Sequence, residues 1–131
     1  MTSASNSVPT VFVVDDDLSV RKALERLFQN VGWPVQTFAS AEEFLKHDLT
    51  GVSGCVIVDV HLGKMRGFDL QMALGQRVEQ LPVILMTGVD DTDTEVEGRR
   101  LGAIAFFRKP FDVGGLIDVV GSCLGQPAST V

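Results

Sequence analysis

Four polar positions in this 131-residue chain come at or just beyond the ends of apolar runs. Asp15-Asp16-Asp17 follows Val11 to Val14, Asp59 follows Val56-Ile57-Val58, Thr87 follows Ile84-Leu85-Met86, and Lys109 comes at the end of the Phe106-Phe107 run. If the runs are neighbouring strands, carboxylates, a hydroxyl and an amine meet at one place. Like carboxylates about 4 Å apart repel by roughly 4 kcal/mol per pair at an effective dielectric of about 20. Asp15, Asp16 and Asp59 therefore stay ionised together only beside a compensating cation. Lys109 supplies one positive charge. The remaining excess calls for a divalent metal, and oxygen-only ligands with a partly open shell suit Mg²⁺, with Mn²⁺ as a substitute. A carboxylate beside such a cation, a lysine and a hydroxyl is a competent phosphoryl acceptor, because the transfer depends on positioning and on neutralising the equatorial oxygens. Asp59 is the candidate nucleophile, since it stands alone at its strand end opposite the acidic cluster.

The elements that must position these groups alternate strictly. Val11 to Val14, Val35 to Phe38, Cys55 to Val58, Val83 to Met86 and Ile104 to Phe107 are short apolar or β-prone runs, several of them continuously apolar as in a sheet covered on both faces. A helix is predicted after each. The first carries Val20, Ala23, Leu24, Leu27, Phe28 and Val31 on one stripe and stops at Gly32 and Pro34. The second opens with the capping box Ser40-Ala41-Glu42-Glu43. A third spans Phe68 to Gln76, a fourth Thr94 to Leu101 with acidic residues in its first turn, and a fifth Val113 to Leu124 with Asp112 as cap. Asp17 caps the first. Such a pattern specifies an α/β sandwich around a parallel sheet, with ligands at the carboxyl ends of the strands where their order reverses.

Composition narrows the function. The length allows one domain, and 45% hydrophobic with 21% charged residues is ordinary globular usage. A net charge of -6 argues against direct binding of nucleic acid, whose phosphates are held by clustered Lys and Arg. No apolar run reaches the roughly 20 residues of a membrane span, and residues 1–10 lack signal-peptide character, so a cytoplasmic protein is expected. Cys55 and Cys123 stand far apart without a CxxC pair or a histidine at ligand spacing, and read as core thiols rather than a zinc or redox motif. His47 and His61 read as exposed loop residues, and Trp33 as a packing residue at the sheet edge.

Taken together, Val11-Phe12-Val13-Val14-Asp15-Asp16-Asp17, Asp59 with Leu62, Met65 and Gly67 after it, Thr87-Gly88, Gly102-Ala103 and Lys109-Pro110-Phe111 resemble the response regulator receiver family. The Ser40-Ala41-Glu42-Glu43-Phe44-Leu45 and Thr87-Gly88 wording is similar to the FixJ-type branch. The resemblance covers residues 9 to 125. It implies the CheY-like, flavodoxin-like (βα)5 fold, a doubly wound sandwich with strand order 2-1-3-4-5, and places a receiver domain at 10–125 between tails at 1–9 and 126–131. The last residues form either a free tail or the start of a linker. For the site it implies phosphorylation of Asp59 by a sensor histidine kinase and Mg²⁺ held by Asp16 and Asp59, by Asp15 commonly through water, and by the backbone carbonyl of His61. Thr87 and Lys109 meet the phosphoryl oxygens, and Thr87 shifts inward on activation. Phe106 takes the aromatic switch position unless it is simply core. The Lys109-Pro110 peptide is expected cis. The switching face is the fourth helix, fifth strand and fifth helix, facing an output domain, a partner protein or a second copy as a homodimer on phosphorylation. Catalysis is limited to self-catalysed phosphotransfer and slow self-dephosphorylation.

Departures qualify the resemblance. Gly63 stands where many members of the family carry proline, leaving the loop Val60 to Arg66 less constrained. Asp90, Asp91, Asp93, Glu95 and Glu97 make the segment after Thr87 acidic, a face suited to choosing a partner by charge. Gly98 and Gly114, Gly115 and Gly121 weaken the last two helices, which phosphorylation is expected to order. Two rival functions fit part of the pattern. A haloacid-dehalogenase-type phosphatase shares the opening Asp15-x-Asp17 and later Thr and Lys, and a receiver-like docking module would keep the fold without phosphotransfer.

Overall fold

Side-chain alternation along five parallel strands sorts the apolar residues into two cores, one on each face of the sheet. In the computed structural model the described residues are 9–47, 52–61, 67–74, 81–88 and 92–125. The strands are β1 (Thr10–Val14), β2 (Val35–Phe38), β3 (Gly54–Asp59), β4 (Val83–Thr87) and β5 (Ala105–Arg108), and the helices are α1 (Leu18–Val31), α2 (Ala41–Lys46), α3 (Gly67–Ala73), α4 (Thr92–Arg100) and α5 (Val113–Leu124). The sheet order is β2-β1-β3-β4-β5, with Val13 opposite Ile57 and Asp59 opposite Met86. β1, β3 and β4 are buried along their whole length, while the edge strands β2 and β5 are half-exposed. Continuous apolarity in the central strands is the consequence of helices on both sides.

One core joins Phe12, Val56, Val58 and Leu85 to Phe44 of α2 and Leu70 of α3. The other joins Val13, Ile57 and Ile84 to Phe28 of α1 and to Leu116 and Val120 of α5. Each such side chain contributes about 1.5–3 kcal/mol when fully buried. Trp33 is buried in the second core with its ring 6.0 Å from Phe28. In α1 the stripe is narrower than its spacing predicts: Leu24 and Phe28 are buried, whereas Ala23 is exposed.

Local chemistry explains the helix ends. Asp17 caps α1 by accepting from the Ser19 N–H at 2.9 Å, and Ser40 caps α2 by accepting from the Glu43 N–H at 3.1 Å. The Glu43 carboxylate reaches back to the N–H of Ala39 at 3.4 Å, one residue before the cap. Asp112 precedes α5 but makes no side-chain capping bond. β5 begins at Ala105, because Ile104 lies outside the ladder and is exposed. α4 begins at Thr92, two residues earlier than its acidic first turn suggests. His47 is half-buried instead of exposed: its ring lies 5.5 Å from Phe38 and 6.3 Å from Phe12.

The acidic face after β4 is partly neutralised by arginines of its own helix and of β5. Glu95 pairs with Arg99 at 3.1 Å and Arg108 at 3.5 Å, and Glu97 with Arg100 at 2.6 Å. The Arg100 hydrogen bond holds the Glu97 carboxyl below its usual range. Asp90 and Asp91 lie outside the described residues.

Gly54 sets the entry of β3. Its φ is +125°, and a Cβ there would stand 1.9 Å from the carbonyl oxygen of Thr10 in β1. Substitution would strain the backbone and push the two central strands apart. Gly54→Ala is predicted to lower unfolding free energy by about 3 kcal/mol or more, measured as a shift of the urea midpoint.

Candidate functional site

The strand order reverses between β1 and β3: the chain leaves β1 for β2 on one side and returns to β3 on the other. Helix-forming segments diverge there, and the carboxyl ends of β1 and β3 face a common crevice. Asp15 immediately follows β1 and Asp59 is the last residue of β3. Sheet geometry thus makes neighbours of two residues separated by most of two βα units.

Carboxylate oxygens of Asp15, Asp16 and Asp59 all lie within 4.8 Å of one another. Asp15 and Asp59 are buried and Asp16 is exposed. Lys109, directly after β5, donates from its Nζ to Asp15 Oδ2 at 2.9 Å and to Asp59 Oδ2 at 2.8 Å. The other oxygens are engaged by backbone: Asp15 Oδ1 accepts from the Asp17 N–H at 2.9 Å, and Asp59 Oδ1 from the His61 N–H at 2.8 Å. Burial raises the Asp15 carboxyl above its ordinary range, against the lowering effect of the Lys109 and Asp17 hydrogen bonds, and the Asp59 charge adds to the rise. Burial alone would lower the Lys109 ammonium, but hydrogen bonds to Asp59 and Asp15 win and hold it above its usual value.

One ammonium therefore faces three carboxylates. The donor set is hard oxygen, clustered closely enough to share one ion, and it retains negative charge after Lys109 is counted. These residues can hold a divalent cation.

Thr87 closes β4, fully buried, one residue beyond Met86, which is the register partner of Asp59. Its carbonyl accepts from the Lys109 N–H at 2.7 Å, so the hydroxyl-bearing and amine-bearing segments are fixed to each other. The Lys109-Pro110 peptide is cis. Phe106 is half-buried against the core on the α2 and α3 side. His61 is exposed. Leu62, Gly63 and Met65, and with them the loop difference at Gly63, fall outside the described residues.

Two supporting residues are not evident from spacing. Arg21 donates from its guanidinium to the Asp15 carbonyl at 2.7 Å, fastening the turn between β1 and α1. Nothing but its place one turn into a helix after an acidic run hints at this. Gly67 opens α3 with its N–H donating to the Val60 carbonyl at 2.9 Å, and a Cβ there would lie 2.7 Å from the Asp59 carbonyl. The motif contains this glycine, but the close approach that requires it is visible only in three dimensions.

Comparison with known proteins agrees with this geometry. The response regulator receiver domain family matches residues 11–121. The transcriptional regulatory protein TdiR of Thauera aromatica is 37% identical over 120 residues, covering 92% of this chain and 53% of TdiR. FixJ of Azorhizobium caulinodans is 37% identical over 118 residues, covering 90% and 56%. The chain spans about half the length of these curated relatives. Among solved structures, response regulator StyR superposes with a TM-score of 0.83 at 37% identity over 91% of this chain and 60% of that one. Full-length FixJ from B. japonicum gives 0.80 at 32% identity over 92% and 59%. With the 2-1-3-4-5 sheet and the acidic cluster at its reversal point, the match over residues 11–121 means that this chain belongs to the response regulator receiver domain family of two-component systems.

Proposed function

We propose that Asp59 accepts a phosphoryl group from the phosphohistidine of a sensor kinase and that the domain relays this state to an output partner. The observation that carries the reading is Asp59 itself: a carboxylate at the end of the central strand, 2.8 Å from Lys109 and within one cluster of Asp15 and Asp16. Mg²⁺, with Asp15, Asp16, Asp59 and the His61 carbonyl as its protein ligands, would neutralise charge on the transferring group. Mn²⁺ has the same preference for oxygen ligands.

An Asp59 oxygen attacks phosphorus, the O–P bond forms as the N–P bond to the kinase histidine breaks, and the imidazole takes up a proton. Lys109 exchanges its bond to Asp59 for one to a phosphoryl oxygen while keeping Asp15 in place. The Thr87 hydroxyl donates to another phosphoryl oxygen, and its inward shift makes room for Phe106 to turn. This chemistry is self-catalysed transfer with slow self-dephosphorylation at most. Membership of the receiver family weighs against a haloacid-dehalogenase-type phosphatase, and the complete set of Asp15, Asp16, Asp59, Thr87 and Lys109 weighs against a docking module without phosphotransfer.

We infer a receiver domain over residues 10–125, with 126–131 either a tail or the start of a linker. An output domain or partner, or a second copy on phosphorylation, meets the face of α4, β5 and α5. Among the described residues no helix is long and apolar enough to cross a membrane, and a cytoplasmic site of action suits a kinase partner.

Incubation with Mg²⁺ and a small phosphodonor is expected to add one phosphoryl group by intact mass, absent in Asp59→Asn. Addition that survives this substitution, or none in the unaltered protein, contradicts the assignment. Thr87→Ala should still be phosphorylated, with transfer slowed about tenfold or more through loss of one donor to the developing charge, followed by quenched time points.

Metal dependence gives a separate prediction. The folded pKa of Asp15 is raised, so metal-free stability declines as pH rises from the unfolded carboxylate pKa through the folded one. Asp15→Asn removes that cost. It should raise the metal-free melting temperature at neutral pH by a few degrees, equivalent to about 1 kcal/mol, and abolish most of the increase that Mg²⁺ produces, both read by calorimetry.

A further inference from the structure

Cys55 and Cys123 are 68 positions apart in sequence (123 minus 55) but share one core. The topology brings them together. Cys55 is the second residue of β3, at the end of the sheet remote from Asp59, and α5 runs back across the sheet so that its last turn, with Cys123, covers the same end. Both side chains pack into the core between α5 and β3, where each thiol perturbs the other. The two thiols differ sharply in surroundings: Cys55 is fully buried, while Cys123 is half-exposed and lines a surface cavity with Ile104, Asp118, Val119 and Ser122. Their sequence spacing gives no redox motif, and the pairing is created by the fold.

We propose that Cys55 and Cys123 form an oxidisable thiol pair in which Cys123 reacts with a peroxide and Cys55 resolves the product to an intramolecular disulfide joining β3 to α5. Accessibility selects Cys123 as the attacking group. The neighbouring Cys55 thiol also lowers the Cys123 thiol below the ordinary cysteine range, which enlarges the thiolate fraction, while Cys123 and burial push Cys55 up. In the first step the Cys123 thiolate sulfur forms an S–O bond as the peroxide O–O bond breaks, and the departing hydroxide takes a proton to become water. In the second, the Cys55 sulfur attacks the sulfenic sulfur, the S–O bond breaks, and the Cys55 proton leaves with that oxygen as a second water. Two thiols lose two electrons together, and one peroxide becomes two waters.

The covalent link would fasten α5 to the strand that ends in Asp59, at the opposite end of that strand. Its formation requires neither phosphorylation nor a metal, so it stands or falls apart from the reading of Asp59. The test treats the reduced full chain with hydrogen peroxide, then denatures it and counts alkylatable thiols. In the unaltered protein both thiols should disappear, a dithiol reductant should restore them, and digestion should yield a peptide linking residue 55 to residue 123. Cys123→Ser should leave Cys55 alkylatable after the same treatment. Cys55→Ala should accumulate a sulfenic acid at Cys123 that a cyclic dione traps. Because Cys55 is in the core, the half-exposed Cys123→Ser variant carries the comparison if the alanine variant does not fold. Persistence of both thiols, sulfinic or sulfonic acid at Cys123 without the linked peptide, or a chain-to-chain disulfide as the main product would overturn the proposal.

Discussion

Everything at the crevice hangs on one ammonium shared by two buried carboxylates. Lys109 stands 2.9 Å from Asp15 and 2.8 Å from Asp59, and each carboxylate would otherwise face its neighbour in a space from which burial removes water. An exposed pair of this kind is worth little, whereas withdrawing the partner of a buried charge costs several kcal/mol. Asp15 and Asp59 are buried and Lys109 is mostly so. The triad therefore belongs to the second regime. It is also unbalanced, since Asp16 joins the same cluster. That residual negative charge suits the site to a divalent cation.

The sheet supplies the positions, and the backbone holds them. Reversal of strand order at β1 and β3 sets Asp15 beside Asp59. Local amides then fix the orientation of each: the Asp17 and His61 N–H groups bind the outer oxygens, leaving the inner ones toward Lys109. Arg21 fastens the Asp15 turn, and Gly67 lets α3 begin against the Asp59 backbone. Helix α4 carries its own ion pairs and packs beside β5, so glycine at 98 does not prevent the helix from forming. Tertiary support offsets the roughly 1 kcal/mol that such a glycine costs relative to alanine.

Much of this was legible from residue order. Apolar runs of strand length ending in Asp15, Asp59, Thr87 and Lys109 indicate both the alternating architecture and the residues at its crevice, because period and run length report burial directly. The edges were less legible. Ile104 has the hydrophobicity of a strand residue yet lies outside β5, and Ala23 fits the helical stripe of α1 yet faces solvent. Asp112 is at a cap position without making the capping bond. His47 is half-buried through Phe12 and Phe38, which no local pattern connects to it. That Cys55 and Cys123 share one core was hidden for the same reason: side-chain neighbours from distant elements follow from topology and not from spacing.

The central claim is that Lys109 offsets repulsion among the carboxylates and that a divalent cation can take over part of that work. Thermal melts of the unaltered protein and of Lys109→Met, each in chelator and in saturating Mg²⁺, test it most directly. The account predicts that Lys109→Met is less stable in chelator by about 3 kcal/mol and that Mg²⁺ raises its melting temperature by more than it raises that of the unaltered protein. Equal stability of the two proteins in chelator, with equal increments on adding Mg²⁺, would contradict it.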